Sequence, residues 1–196
     1  MPQCQAMLSI LTRSRTSAGF SLIEVMVVVS VGIILAAMAV PVSSGFITTA
    51  RADGAVVSVV DVLTTARDRA VGERRNFEIV FTNPDHIKVY RDEVPSGLQT
   101  LISDTRLENG QQFQRFGSMP DTPDAFGGAS SVQFTGAGPW MFTSDGSLID
   151  SNGDVSNGTV FLGVPNQTMT AGAVTIFGAT GLLRTWRWRG SRWYNN

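Results

Sequence analysis

The chain has almost no sulfur chemistry and almost no histidine. Its one cysteine, Cys4, stands near the start, so an intrachain disulfide is excluded and the fold must rest on its apolar core. A lipoprotein reading of Cys4 fails as well, because no apolar stretch precedes it. One histidine, His86, beside a turn, reads as a solvated surface residue rather than a base or a ligand. No phosphate-binding glycine loop is present, and no motif sets a histidine beside Ser144 and Asp145. These gaps argue against an enzyme and call for no cofactor. Charge is scarce too: 16% of the residues are charged and the net charge is -1, which gives no general pull toward nucleic acid. The segment 181–196 departs from that balance, with Arg184, Arg187, Arg189 and Arg192 and no acid.

What the chain does have is a long apolar run, "GFSLIEVMVVVSVGIILAAMAVP", over 19–41. A secretory signal has a basic start, a short apolar stretch and a small-residue cleavage site. Here a short basic segment with Arg13 and Arg15 leads into an apolar stretch from Phe20 to about Val42. At 1.5 Å per residue a helix of about 23 residues is about 35 Å long, enough to cross a bilayer. Arg13 and Arg15 would keep the N-terminal side in the cytoplasm and send the rest of the chain out of it. Glu24 sits inside this run, and a lone carboxylate in hydrocarbon is costly unless it is paired or close to the interface.

Gly19-Phe20-Ser21-Leu22-Ile23-Glu24 resembles the processing site of type IV pilins and type II secretion pseudopilins. The resemblance covers the glycine before the cut, an aromatic first mature residue, an acid at the fifth mature position and the apolar helix, with Pro41 where the family often has a proline. It implies that a prepilin peptidase cuts between Gly19 and Phe20 on the cytoplasmic side and that the new Phe20 amine is N-methylated. It also implies a role for Glu24 in filament register, pairing with the first-residue amine of a neighbouring subunit. Such a pair would offset the desolvation of both charges. The alternative is a plain signal anchor, with Glu24 reaching the interface.

Past Pro41 the pattern stays helical. Val56, Val59, Val60, Leu63, Ala66 and Ala70 recur at helix-face spacing, while Arg51, Asp53, Ser58, Asp61, Thr65 and Asp68 fall mostly off that stripe. The expected organisation is a leader over 1–19, a membrane-spanning half-helix over 20–42, an amphipathic half over 43–73 and a β-rich head over 74–196. Pro41, Gly45 and Gly54 would weaken or bend the helix. The fold class is α+β, a long N-terminal helix packed on a C-terminal antiparallel β head.

In the head, strands are expected at 77–81 and 87–90 around a turn at 82–85, then at 132–135, 139–143, 158–164, 172–178 and 182–189. Residues 92–131 read as a long loop with one strand near 111–116. One long helix, a hairpin and a closing strand–turn–strand, "VTIFGATGLLRTWRWRG", resemble the GspH/FimT group of minor pilins and pseudopilins. That resemblance implies a filament subunit whose partners are other pilins, the peptidase, an inner-membrane assembly platform and lipid.

Two stretches of the head invite chemistry. In "DSNGDVSNG", Asp150, Asn152 and Asp154 alternate like the start of a calcium loop. Val155 stands at the sixth position, where that loop needs glycine, and Phe161 at the twelfth, where it needs an acid. A tight turn uses the same residue types. In the tail, Arg184, Trp186 and Trp188 would share one strand face and Thr185, Arg187 and Arg189 the other. Arginines interleaved with aromatics suit single-stranded nucleic acid, and Arg184, Arg187, Trp188, Arg189 and Arg192 are the candidate contacts. The resemblance points the same way for FimT-type pilins, whose Gly-Arg-x-Arg segment matches Gly181-Leu182-Leu183-Arg184, with Leu182 at the first arginine. The alternative, which the sequence favours, has the tryptophans covering the helix and the arginines paired with acids of the head or of a neighbouring subunit.

Overall fold

The computed structural model describes residues 19–195, with 38–46 as backbone only. Helix α1 runs Leu22–Glu73 and continues through Pro41, Gly45 and Gly54. The chain divides into two compact units, Met1–Ser43 and Ser44–Asn196. Most of the expected leader, with Cys4, Arg13 and Arg15, lies outside the described residues.

In the second unit α1 does what its periodicity predicts. Ala52, Val56, Val59, Leu63, Ala66 and Ala70 are buried, and Arg51, Asp61, Thr65 and Asp68 are exposed. The stripe meets two antiparallel sheets rather than one. The first joins β1 (Phe77–Thr82), β2 (His86–Glu93), β3 (Leu98–Arg106), β6 (Trp140–Phe142) and β7 (Leu148–Ile149) in the order β3-β2-β1-β6-β7. The second joins β4 (Gln112–Phe113), β8 (Gly158–Val164), β9 (Gln167–Phe177), β10 (Leu182–Trp188) and β11 (Trp193–Asn195) in the order β11-β10-β9-β8-β4. Strand β5 (Val132–Phe134) also pairs with β8.

Both sheets contribute to one core on the helix. Phe77, Ile79, Ile87, Val89, Phe142 and Leu148 come from the first sheet, and Val160, Leu162, Val174 and Ile176 from the second. The first sheet keeps the alternation of a half-wet sheet: Phe77 and Ile79 are buried while Glu78 and Val80 are not. The second sheet is covered on both faces. Its other face packs Phe161, Ala171, Ala173, Trp186, Trp188 and Trp193 against Met119 and Phe116 of the loop over 114–127. Double cover is why β8 from Gly158 to Gly163 and β9 from Thr170 to Ile176 are buried at consecutive residues rather than at alternate ones. Gly172 sets the approach of helix to sheet, since an added Cβ there would lie 2.5 Å from Val56 Cγ2.

Several strand expectations change. The long loop over 92–131 contains β3, a nine-residue strand paired to β2 across a bulge at Val89/Tyr90. Its sequence, LQTLISDTR, has no apolar alternation because it is an edge strand with little burial, held by its backbone ladder. The strand near 111–116 shrinks to two residues. Strand β9 begins at Gln167, directly after a Pro165-Asn166 turn that closes the hairpin with β8, with Asn166 at φ 65. Strands β7 and β11, two and three residues long, carry too little pattern to be read from sequence.

Candidate functional site

The N-terminal element is built from local rules. Ser21 accepts the first helical hydrogen bond, from Val25 N at 3.1 Å, so helix α1 begins with Ser21 as its cap and Glu24 in its first turn. A carboxylate there complements the helix dipole. The spacing Ser21-x-x-Glu24 is that of a capping box. Among the described residues, however, the Glu24 carboxylate makes no hydrogen bond or ion pair and remains uncommitted.

Around it every described side chain from Phe20 to Ala37 is exposed, with Phe20 at 82%, Leu22 at 77% and Val28 at 66%. The one hydroxyl past the first turn, Ser30, donates to Met26 O at 2.7 Å, so its polarity is absorbed by the helix itself. A helix apolar on all sides has no soluble-protein surface to offer and calls for lipid or other helices. Among the described residues no helix is long and apolar enough to cross a membrane. The expected span over 20–42 runs into residues 38–46, whose side chains lie outside the description.

The arginines of the tail divide into two groups. Arg184 and Trp186 face the loop over 114–127, where the buried carboxylate of Asp124 gathers three donors. Thr175 Oγ1 lies at 2.6 Å, Arg184 Nη1 at 2.9 Å and Trp186 Nε1 at 3.1 Å. Arg184 also lies over Phe177, 4.6 Å from the ring centroid. Arg187 points the other way, to the helix. It is 6% exposed, bonds Asp53 at 2.5 Å and reaches the carbonyls of Thr49 and Met169. Arg184 thus pairs with an acid of the head and Arg187 with an acid of the helix, while the tryptophans do not cover the helix. Trp186, Trp188 and Trp193 lie on the opposite face, under the loop, with Trp193 Nε1 donating to Pro120 O at 3.0 Å. Alternation along β10 was read correctly, and which face meets the helix was not.

Arg189 and Arg192 form the second group. Both are exposed and both stand over Tyr194, at 5.2 and 4.9 Å from its centroid, with Arg192 Nε donating to the phenol oxygen at 2.7 Å. Among the described residues neither has a carboxylate partner. The five candidate contacts are therefore not one surface: Arg184 and Arg187 are tied to Asp124 and Asp53, Trp188 is buried, and Arg189 and Arg192 remain outward.

The loop over 150–158 is a self-satisfied turn. Asp150 Oδ1 accepts from the amides of Asn152 at 2.8 Å and Asp154 at 3.0 Å, and Asp150 Oδ2 accepts from Asn152 Nδ2 at 3.3 Å. Burial raises the Asp150 carboxyl, but the Asp154 and Asn152 amides outweigh it and the net shift is downward. Among the described residues no three metal-ligating side chains converge, here or elsewhere. His86 begins β2 with Nδ1 2.7 Å from Asp104 Oδ1 and Nε2 3.7 Å from Asp85 Oδ1, part of a surface charge cluster.

Sequence reading missed Asp124 altogether. Its signal is indirect: a tryptophan destined for a sheet face needs an acceptor for its indole N–H, and an acid in a facing loop can supply one.

Residues 14–40 match the family model described as the prokaryotic N-terminal methylation motif. Among curated proteins none is similar enough in sequence to count as a relative. Two solved structures of the minor pseudopilin EpsH from the type 2 secretion system of Vibrio cholerae are similar in fold. One is 14% identical, with a TM-score of 0.47 over 70% of this chain and 97% of that one. The other is 15% identical, with a TM-score of 0.45 over 70% of this chain and 94% of that one.

Proposed function

We propose that this chain is a pilin-like structural subunit, processed at Gly19, held in the inner membrane by residues 20–42 and withdrawn from it into a filament. One observation carries the reading. The methylation motif over 14–40 coincides with an exposed, all-round apolar helix whose single carboxylate, Glu24, has no partner among the described residues. Cleavage before Phe20 creates an amine at the helix N-terminus, and Glu24 of a neighbouring copy or a related subunit is the group that neutralises it. The head lies in the periplasm. The partners are other pilins or pseudopilins, the prepilin peptidase and an inner-membrane assembly platform.

The finer reading is a minor pseudopilin of the GspH type, at the tip of a short periplasmic pseudopilus that supports protein export. It carries out no reaction of its own. A second reading, a type IV minor pilin of the FimT/FimU type acting in pilus assembly, adhesion or DNA uptake, is favoured by the outward pair Arg189 and Arg192 on Tyr194. Gene deletion separates the two: loss of an exported enzyme supports the first, and loss of pili or of transformation supports the second. The class itself is tested by mass spectrometry of the membrane-extracted protein. A methylated Phe20 start is expected, and Gly19→Leu should retain the leader. A mature Phe20 start in that variant would sink the processing claim.

A further inference from the structure

The arginine-rich tail is fixed to a particular place on the head. Arg187 bonds the helix at Asp53 and at the carbonyl of Thr49, at the N-terminal end of the second unit. Thr49 stands seven residues past Val42, where the proposed span ends. Seven helical residues cover about 10 Å. A bilayer's headgroup layer extends about 5–8 Å beyond its hydrocarbon, and the potential of an anionic surface persists for about one further Debye length, roughly 10 Å.

The charges at this end do not cancel. Asp53 is taken by Arg187 and Asp124 by Arg184. Arg51, two residues from both Thr49 and Asp53, lies on the far side of the helix in a separate depression with Arg106 and Glu108, and the hairpin's own Arg189 and Arg192 have no carboxylate partner among the described residues. Apolar and amphipathic groups stand with them. Met169, 66% exposed, lines a depression of 380 Å³ with Thr49, Asp53, Arg187, Trp188 and Arg189. Tyr194 carries both outward guanidiniums. Arginine beside tyrosine and an exposed thioether is the chemistry of a membrane interface, where cations meet phosphates and amphipathic rings sit at headgroup depth.

We propose that the C-terminal hairpin over 182–195 is a contact for anionic phospholipid, through Arg189 and Arg192, that seats the head on the membrane surface while the subunit waits in the bilayer. The inference rests on the proposed span, and its test separates the two. Full-length protein carrying Cys4→Ser and Ser191→Cys is nitroxide-labelled at position 191 and reconstituted into vesicles of phosphatidylcholine alone or with about a third phosphatidylglycerol. A label at Ser144→Cys, in the distal turn after β6, serves as the control. Collision with a water-soluble nickel chelate is read by electron paramagnetic resonance.

Protection of position 191, but not 144, in the anionic vesicles only is expected. Each of Arg189→Gln and Arg192→Gln should weaken that seating about fivefold, and about 0.5 M salt should abolish it. Equal accessibility of position 191 in both vesicles, in protein that floats with both, overturns the lipid contact and leaves the span standing. Protein that floats with neither overturns the span and the contact together. Protection of position 191 by single-stranded DNA, without protection by anionic vesicles, also overturns the proposal and assigns the hairpin to nucleic acid.

Discussion

Between Leu22 and Ala37, helix α1 is apolar on every side and every described side chain is exposed; between Ala52 and Ala70 it is apolar on one side, and that side is buried. Both stretches satisfy their backbone within the helix. They differ in where the side chains find company. In the second stretch the valine, leucine and alanine stripe is met by both sheets of the same chain. In the first, nothing described in this chain meets it, and its only charge, Glu24, has no partner among the described residues. Apolar content alone does not say whether a helix belongs to a core. The distribution of that content around the axis does.

The largest effect that would break this comparison is an assembly defect without a folding defect. Glu24→Ala should leave the head's unfolding unchanged and abolish incorporation into filaments, scored by shearing and immunoblot. Incorporation at the native level would remove Glu24 from the register. A stability contrast comes next. Leu63→Ala empties a fully buried site in the stripe and should cost about 2–5 kcal/mol. Val28→Ala, in the exposed stretch, should change head stability by less than about 0.5 kcal/mol. Urea unfolding followed by tryptophan emission reads both, since Trp140, Trp186, Trp188 and Trp193 all lie in the head.

Asp124→Ala tests whether a polar group can matter as much as part of the stripe. It leaves the buried Thr175 hydroxyl without its acceptor, takes one of two acceptors from the Trp186 indole N–H and releases the exposed Arg184, and should cost about 1–3 kcal/mol with a red shift of the tryptophan emission as the loop lifts. The smallest effect is in acid. Hydrogen bonds from the Thr143 hydroxyl, then from the Ser147 amide and hydroxyl, lower the Asp145 carboxyl to about 2. A lowered folded value means that its contribution is complete above the unfolded value of about 3.9 and is lost as pH falls through the folded one. Thr143→Val should therefore narrow the difference in melting temperature between about pH 4 and pH 2. An unchanged acid slope would argue against that turn as a proton-linked element.

Legibility in the sequence followed the same division. Gly19, Phe20 and Glu24 are neighbours in a line, so a linear reading finds them. The buried stripe of α1 has a 3.6-residue period and was readable residue by residue. Strand β3 was not, because an exposed edge strand owes its existence to the ladder with β2 rather than to its own side chains. The tail was half legible. Period two established which residues share a face, but the choice of face depends on Gly172 admitting Val56 and on Asp53 meeting Arg187, contacts far apart in sequence. Asp124 was invisible for the same reason, being 51 to 62 residues from the three donors it collects.

The double cover of β8 and β9 also orders the head in time. Their amides are bonded to strands on both sides and roofed by apolar groups on both faces. Deuterium can enter there only when the whole head opens. The outward amides of β3 face no partner strand among the described residues and exchange at the pace of open chain. Labelling therefore enters first at the open edge of the first sheet and last in the middle of the second, and the last protons to leave mark the strands on which the rest of the head depends.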